Sequence, residues 1–349
     1  MRVRYRFAWV AAAIIAVAVT TLAMPIRTWR TGEEPVPPLP LEPAGVFAVK
    51  PDRLWIDTDI ACGSGERVDP DDCLALLLLV RAGRERIAGV SVVAGNASSE
   101  VVETVGRQFL EVLGSESLRF ADTRMAQAAL QAALEQGPLT IVALGPLTNV
   151  AAALEGRPDL RARVEGIVAV MGRRKGHLFH PSEGKGGGML LGHGPVFTDF
   201  NFEQDREAAA GVVRMGLPLV LVPYEAARSV QLGAVDLDRI AASGPAGAWV
   251  ARRSRDWLKF WKEGIGLEGF YPFDLVGAAF VLAPGQFRCA KASLWVVPTS
   301  RLVAWLGFRD SLIVGLAQEK PRQVRAAAEA VYCPRLGDGM HGWLMQQLQ

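Results

Sequence analysis

An apolar run, Leu54-Trp55-Ile56, ends in two alternate acids, Asp57 and Asp59, and Asp69-Pro70-Asp71-Asp72 then opens the apolar stretch 73–80. Carboxylates gathered in one place repel and need a cation or a shared proton to hold them there. A hard divalent metal bound through oxygen meets that need most simply. The chemistry to expect is metal-dependent hydrolysis. Asp71 and Asp72 have a plainer reading, since acids in a first helical turn interact favourably with the helix dipole. Asp57 and Asp59 just upstream favour the metal. Asp274 lies between Tyr271-Pro272-Phe273 and the apolar run 275–282. A bare carboxylate there is costly unless paired or metal-bound.

These acids need elements that bring them together. Residues 54–56 read as a strand. Residues Asp71–Gly83 read as a helix, with acids in its first turn and Arg81 and Gly83 at its end. Further strands are expected over 87–94, 140–144, 166–171 and 217–222, with helical patterns over 100–113 and from 147 to 154. This alternation predicts an α/β fold: a doubly wound, mostly parallel sheet with helices on both faces. Ligands on such sheets bind at the carboxyl ends of the strands. Asp57, Asp59, Asn96, Gly145-Pro146 and Gly172 all follow strand ends and should share one rim. The Gly- and His-rich segment 175–194 reads as a loop, either a lid or a surface excursion.

Taken in order, Asp57-Thr58-Asp59, Asp71-Asp72, Val93-Ala94-Gly95-Asn96, Ala143-Leu144-Gly145-Pro146-Leu147-Thr148-Asn149, Met171-Gly172, Asp199-Phe200-Asn201 and Phe273-Asp274 resemble the inosine–uridine nucleoside hydrolases. The resemblance runs from about residue 53 to 284 and fits the C-terminal segment only loosely. It implies a doubly wound fold that binds Ca²⁺ at the sheet rim and cleaves the N-glycosidic bond of ribonucleosides. It further implies Asp59, Asp72, the Thr148 carbonyl and Asp274 as calcium ligands, with Asp59 also the base that activates water. Asp57 would support the site from behind. Asp71 and Asn96 would hold the 2′ side of the ribose, and Asp199 and Asn201 its 5′ side. Asn149 fits a turn-bracing role better than substrate contact.

The chain departs from that family in several places. Its compact DxDxxxDD is interrupted by a longer 60–70 segment, which could loop outward or reshape the mouth of the pocket. Phe273 stands where many members carry the His that protonates the leaving base. Only His177, His180, His193 and His341 are available, and the first three lie in or beside the loop. Asp199 replaces a Glu one methylene longer, and the 113–140 segment is short. Trp257 and Trp261 lie at i, i+4 before Asp274. They could stack on a base, or form a core stripe with Leu258 and Phe260.

The 349 residues carry a net charge of only +2 and no long basic run, so nucleic-acid binding is not expected. Residues 1–30 combine a basic start with an uncharged apolar stretch and read as a signal anchor or signal peptide. Residues 31–49 read as a Pro-rich linker, and 50–349 as the catalytic domain. The body is expected outside the cytoplasm, anchored in the membrane if the N-terminus is uncleaved and exported if it is cleaved. The oligomeric state is open, a homo-oligomer included. The four cysteines match no zinc motif. A Cys62–Cys73 bridge is one reading and small buried hydrophobes the other. The expected partner is a small ribonucleoside or related ribosyl compound. The alternative is a non-catalytic nucleoside- or sugar-binding protein on the same fold. A haloacid-dehalogenase-type phosphohydrolase also opens on DxD, but needs a later Lys and acid pair that the sequence does not offer.

Overall fold

The computed structural model describes residues 38–44, 52–65, 67–174, 199–299 and 310–349. An 11-stranded sheet organises them. From one edge its strands are Phe120–Ala121, Ile87–Val92, Leu54–Thr58, Leu139–Ala143, Val164–Ala169, Leu219–Leu221, Ala326–Leu336, Phe287–Val297, Ser311–Gly315 and Arg173–Arg174, with Glu42–Pro43 also paired to Phe287–Val297. Within this sheet only the pairings made by Phe287–Val297 are antiparallel. That strand alone runs against the rest, so the sheet is mostly parallel, as the α/β alternation predicts.

The strand order places the site. From Leu54–Thr58 the chain builds outward through Ile87–Val92 to Phe120–Ala121, then returns to Leu139–Ala143 on the other side and continues away. Connections on the two sides leave toward opposite faces, which opens a crevice at the carboxyl ends where the order reverses. Asp57 and Asp59 stand at that point. Leu54–Thr58 is buried on both faces, hence its continuous apolar start. Leu54 and Ile56 join the core on one face and Trp55 the core on the other.

Helix Asp71–Gly83 begins where the sequence places it, and it is buried from Asp71 to Leu79. A helix apolar all round belongs inside. It packs against helix Phe273–Ala279, so the acidic first turns of two helices meet.

Both cysteine pairs are bonded. Cys62–Cys73 closes the 60–70 segment onto the helix start, and Cys289–Cys333 joins Phe287–Val297 to Ala326–Leu336. Part of the expected linker docks rather than hanging free, since Glu42–Pro43 pairs with the sheet and Ala44 is buried. The apolar N-terminal stretch and the 175–194 loop, with His177, His180 and His193, lie outside the described residues. Among the described residues no helix is long and apolar enough to cross a membrane.

Candidate functional site

Asp57 lies on the Trp55 side of its strand and is held by two hydrogen bonds, one of them itself braced. Its Oδ1 accepts hydrogen bonds from Ser91 Oγ (2.5 Å) and Asn149 Nδ2 (2.8 Å), while Trp55 Nε1 donates to Ser91 Oγ (2.8 Å). Asn149 also donates to the Val92 carbonyl (3.1 Å), so it braces the rim. Asp59 lies one residue past the strand. Its Oδ2 accepts from the Asn96 backbone N–H (2.8 Å). A Cβ on Gly95 would come within 2.1 Å of that oxygen, so only glycine lets the turn approach.

Asp72 accepts from the Thr58 hydroxyl and from Asn96 Nδ2 (3.0 Å). Asp71 Oδ2 accepts from the backbone N–H of Asp274 (2.8 Å), linking the two helix starts. Carboxylate oxygens of Asp59, Asp72 and Asp274 thereby lie within 4.8 Å of one another, and all three residues are buried.

Burial pushes Asp57 up to about 6 and, with the Asp71 charge, Asp72 up to about 7. Burial and then neighbouring carboxylates drive Asp59 and Asp274 well above the usual range. Like charges in low dielectric resist ionising together unless a cation offsets them. Three buried oxygens, Asp57 Oδ2, Asp59 Oδ1 and Asp71 Oδ1, have no hydrogen-bond partner among the described residues. Buried polar atoms seldom lack partners, and their clustering here calls for an occupant. An all-oxygen donor set suits a hard cation such as Ca²⁺ or Mg²⁺ and not a soft one.

A cavity of about 360 Å³ opens beside the carboxylates. Asp71, Asn96 and Asp274 line one part of it, and Asp199 and Asn201 another. Asp199 Oδ2 accepts from the Gly172 N–H (2.9 Å), and burial lifts this carboxyl to about 7. Asn201 Nδ2 donates to the carbonyls of Leu144 (2.5 Å) and Val170 (3.1 Å). Trp257, Phe273 and Tyr224 form an aromatic wall, with Tyr224 and Phe273 stacked at 5.9 Å between centroids.

The fold thus brings together Asp57, Asp59, Asp71, Asp72, Asp274, Asn96, Asp199, Asn201 and Trp257. Thr148 is not among the residues that line the cavity. That residue starts helix Thr148–Leu154, is exposed and donates its hydroxyl to Asp205 (2.7 Å). Trp261 is in the core, its ring 4.8 Å from that of Tyr271. The stacking expectation therefore survives for Trp257 and the core expectation holds for Trp261. His341 sits on the C-terminal helix Met340–Gln347, 3.3 Å from Asp236, and is not a lining residue.

Sequence reasoning missed two lining groups. Tyr224 follows the strand Leu219–Leu221, so the strand-end rule that located the other residues could have found it. Arg67, Val68 and Asp69 come from the 60–70 segment, which does reshape the cavity mouth.

Residues 115–331 match the family model described as inosine-uridine preferring nucleoside hydrolase. A pyrimidine-specific ribonucleoside hydrolase RihA from Citrobacter koseri is 33% identical over 161 residues, 46% of each chain. The one from Salmonella typhimurium is 32% identical over the same length. The chain therefore spans about half the length of the curated relatives it matches. Among solved structures, the plant nucleoside hydrolase PpNRh1 superposes with a TM-score of 0.66 at 17% identity, covering 85% of this chain and 98% of that one. A purine-preferring ribonucleoside hydrolase from Gardnerella vaginalis gives 0.66 at 16%, with the same coverage. At such identities the likeness speaks for the fold alone. With the family model matching more than half of this chain, and the ordered acids gathered at the sheet's reversal point, this chain belongs to the inosine–uridine preferring nucleoside hydrolase family.

Proposed function

We propose that the chain hydrolyses the N-glycosidic bond of a ribonucleoside, or a related ribosyl compound, with the help of one Ca²⁺. The observation that carries this reading is the buried Asp59, Asp72 and Asp274 cluster at the edge of a cavity otherwise lined by hydrogen-bonding and aromatic groups. Those three residues would hold the ion. The backbone carbonyl of Thr148 would be a fourth ligand. When bound, the cation supplies positive charge that makes a water more acidic and gives the ribose hydroxyls a fixed anchor.

The rest follows from the chain's own groups. Asp59 Oδ1, buried and unpartnered, accepts the proton of the attacking water. Asp57 holds the end of the strand that carries Asp59 in place through Ser91 and Asn149. Asp71 and Asn96 face the 2′ side of the ribose, and Asp199 and Asn201 its 5′ side, which fixes the ring for in-line attack. Bond breaking builds positive charge on the ring, and the surrounding carboxylates favour it. The base rests against the wall of Trp257, Phe273 and Tyr224.

The two disulfides support a body that works in an oxidising compartment, outside the cytoplasm, tethered or exported by residues 1–30. Phe273 in the cavity lends weight to a second reading, in which nucleoside binds without turnover. A panel of purine and pyrimidine ribonucleosides, assayed for free ribose with and without a calcium chelator, separates the two. Chelator-sensitive release supports hydrolysis. Nucleoside binding with no release supports the second reading.

A further inference from the structure

The 60–70 segment brings an arginine to the cavity. Arg67 lines the mouth, and its Cζ lies 5.3 Å from the centroid of the Phe260 ring. That ring is 5.2 Å from the ring of Trp257, which lines the same cavity. Arg67 therefore sits beside the aromatic wall, where it also lines a second cavity with Phe260 and Lys259. It is the only cationic side chain among the described lining residues of the first cavity, and no described residue accepts a hydrogen bond from it or pairs with it. Trp257 adds a buried indole N–H that has no partner among the described residues. Arg67 is thus the exposed and uncommitted donor on this side of the cavity.

The segment is held in place. Cys62–Cys73 ties its start to helix Asp71–Gly83. Gly63, at φ +72°, sits so close to Arg253 that a Cβ would come within 2.4 Å of that side chain. Arg253 in turn stacks on Trp249, its Cζ 3.6 Å from the ring centroid. A short loop fixed at its root can present a side chain in one direction with little ordering cost on binding.

Resting on the reading of the site as a ribonucleoside hydrolase, we propose that Arg67 is the group that takes up the negative charge of the departing base. In the step, the C1′–N bond breaks and its electron pair leaves with the base. The water oxygen bonds to C1′ and its proton passes to Asp59. Arg67 keeps its own protons and donates hydrogen bonds to the base anion, which then takes a proton from solvent. A donor that never titrates can thus stand where Phe273 offers none. The planar fork matches an edge with two adjacent acceptors, such as O6 and N7 of a 6-oxopurine. It is mismatched to adenine, whose N6 amino group is itself a donor at that edge.

The test compares wild type, Arg67→Met and Arg67→Lys on inosine, adenosine and 4-nitrophenyl β-D-ribofuranoside, whose leaving anion is stable without help. Arg67→Met is expected to lose about 100-fold in kcat/KM on inosine. On the nitrophenyl riboside and on adenosine its loss should stay within about 3-fold, against the larger figure expected for a lost charge-assisted donor. Arg67→Lys, which keeps charge without the fork, should recover part of the inosine activity. Equal losses on all three substrates, or none, overturn the assignment while wild-type turnover leaves the hydrolase reading standing. No wild-type turnover of any of them overturns both.

Discussion

Stripping the cation should make the folded chain progressively less stable as pH rises from about 4 to 8. Asp57 is raised from 3.8 to about 6 and Asp199 from 3.8 to about 7, in both cases chiefly by burial. Between those values the native state still holds protons that the unfolded chain has released. Their contribution is full below the unfolded pKa and is lost as pH climbs through the folded one. At about 1.4 kcal/mol per pH unit, Asp57 accounts for about 3 kcal/mol and Asp199 for about 4. Asp59, Asp72 and Asp274 act in the same direction. The combined loss of roughly 7 kcal/mol is comparable to the whole stability of many domains. For a chain of this size it lowers the thermal midpoint by roughly 15 °C. Saturating Ca²⁺ should reverse the slope, because the ion binds ionised carboxylates and its affinity grows as they deprotonate. Thermal unfolding followed by calorimetry across this pH range, in chelator and in Ca²⁺, reads both slopes. A midpoint that does not move with pH in chelator, or identical profiles with and without the ion, would refute the reasoning.

Other outcomes follow from single positions. Asp59→Asn should keep the fold and lose turnover by at least about 1,000-fold, as expected when a positioned base and metal ligand is removed; circular dichroism and ribose release check the two halves. Trp257→Ala should weaken a purine ribonucleoside more than a pyrimidine one, because the larger ring loses more stacking area. Equal effects on kcat/KM would return Trp257 to a packing role. Replacing Cys62 and Cys73 together by Ser should lower the unfolding free energy by about 3 kcal/mol, and replacing Cys289 and Cys333 by about 4, the difference following loop length. Urea denaturation with and without reductant measures both.

Much of the site was legible because its residues obey one rule. Acids and Gly-Asn or Gly-Pro turns that end apolar runs lie at the carboxyl edge of a parallel sheet, and Asp57, Asp59, Asn96 and Gly172 do so here. Helix Asp71–Gly83 could be read to its ends because acids open it and Arg81 and Gly83 close it. Asp274 was legible because a lone acid amid apolar neighbours must have a partner. The reversed strand Phe287–Val297 was not read, although its burial partly alternates, because its pairing with Ala326–Leu336 depends on contacts far apart in sequence. Cysteine spacing does not specify connectivity, so Cys289–Cys333 needed the fold. Arg67 went unremarked because an arginine in a polar loop carries no local signal; only its place over Phe260 at the cavity mouth marks it.

The most direct test of the metal-dependent site is to remove calcium from wild type and from Asp274→Asn, then titrate Ca²⁺ back while measuring ribose release from the best ribonucleoside. Wild type should regain full activity at one ion per chain, and Asp274→Asn should need far more calcium to respond. Undiminished activity in chelator, or the same calcium requirement in both proteins, would contradict a catalytic metal held by Asp59, Asp72 and Asp274.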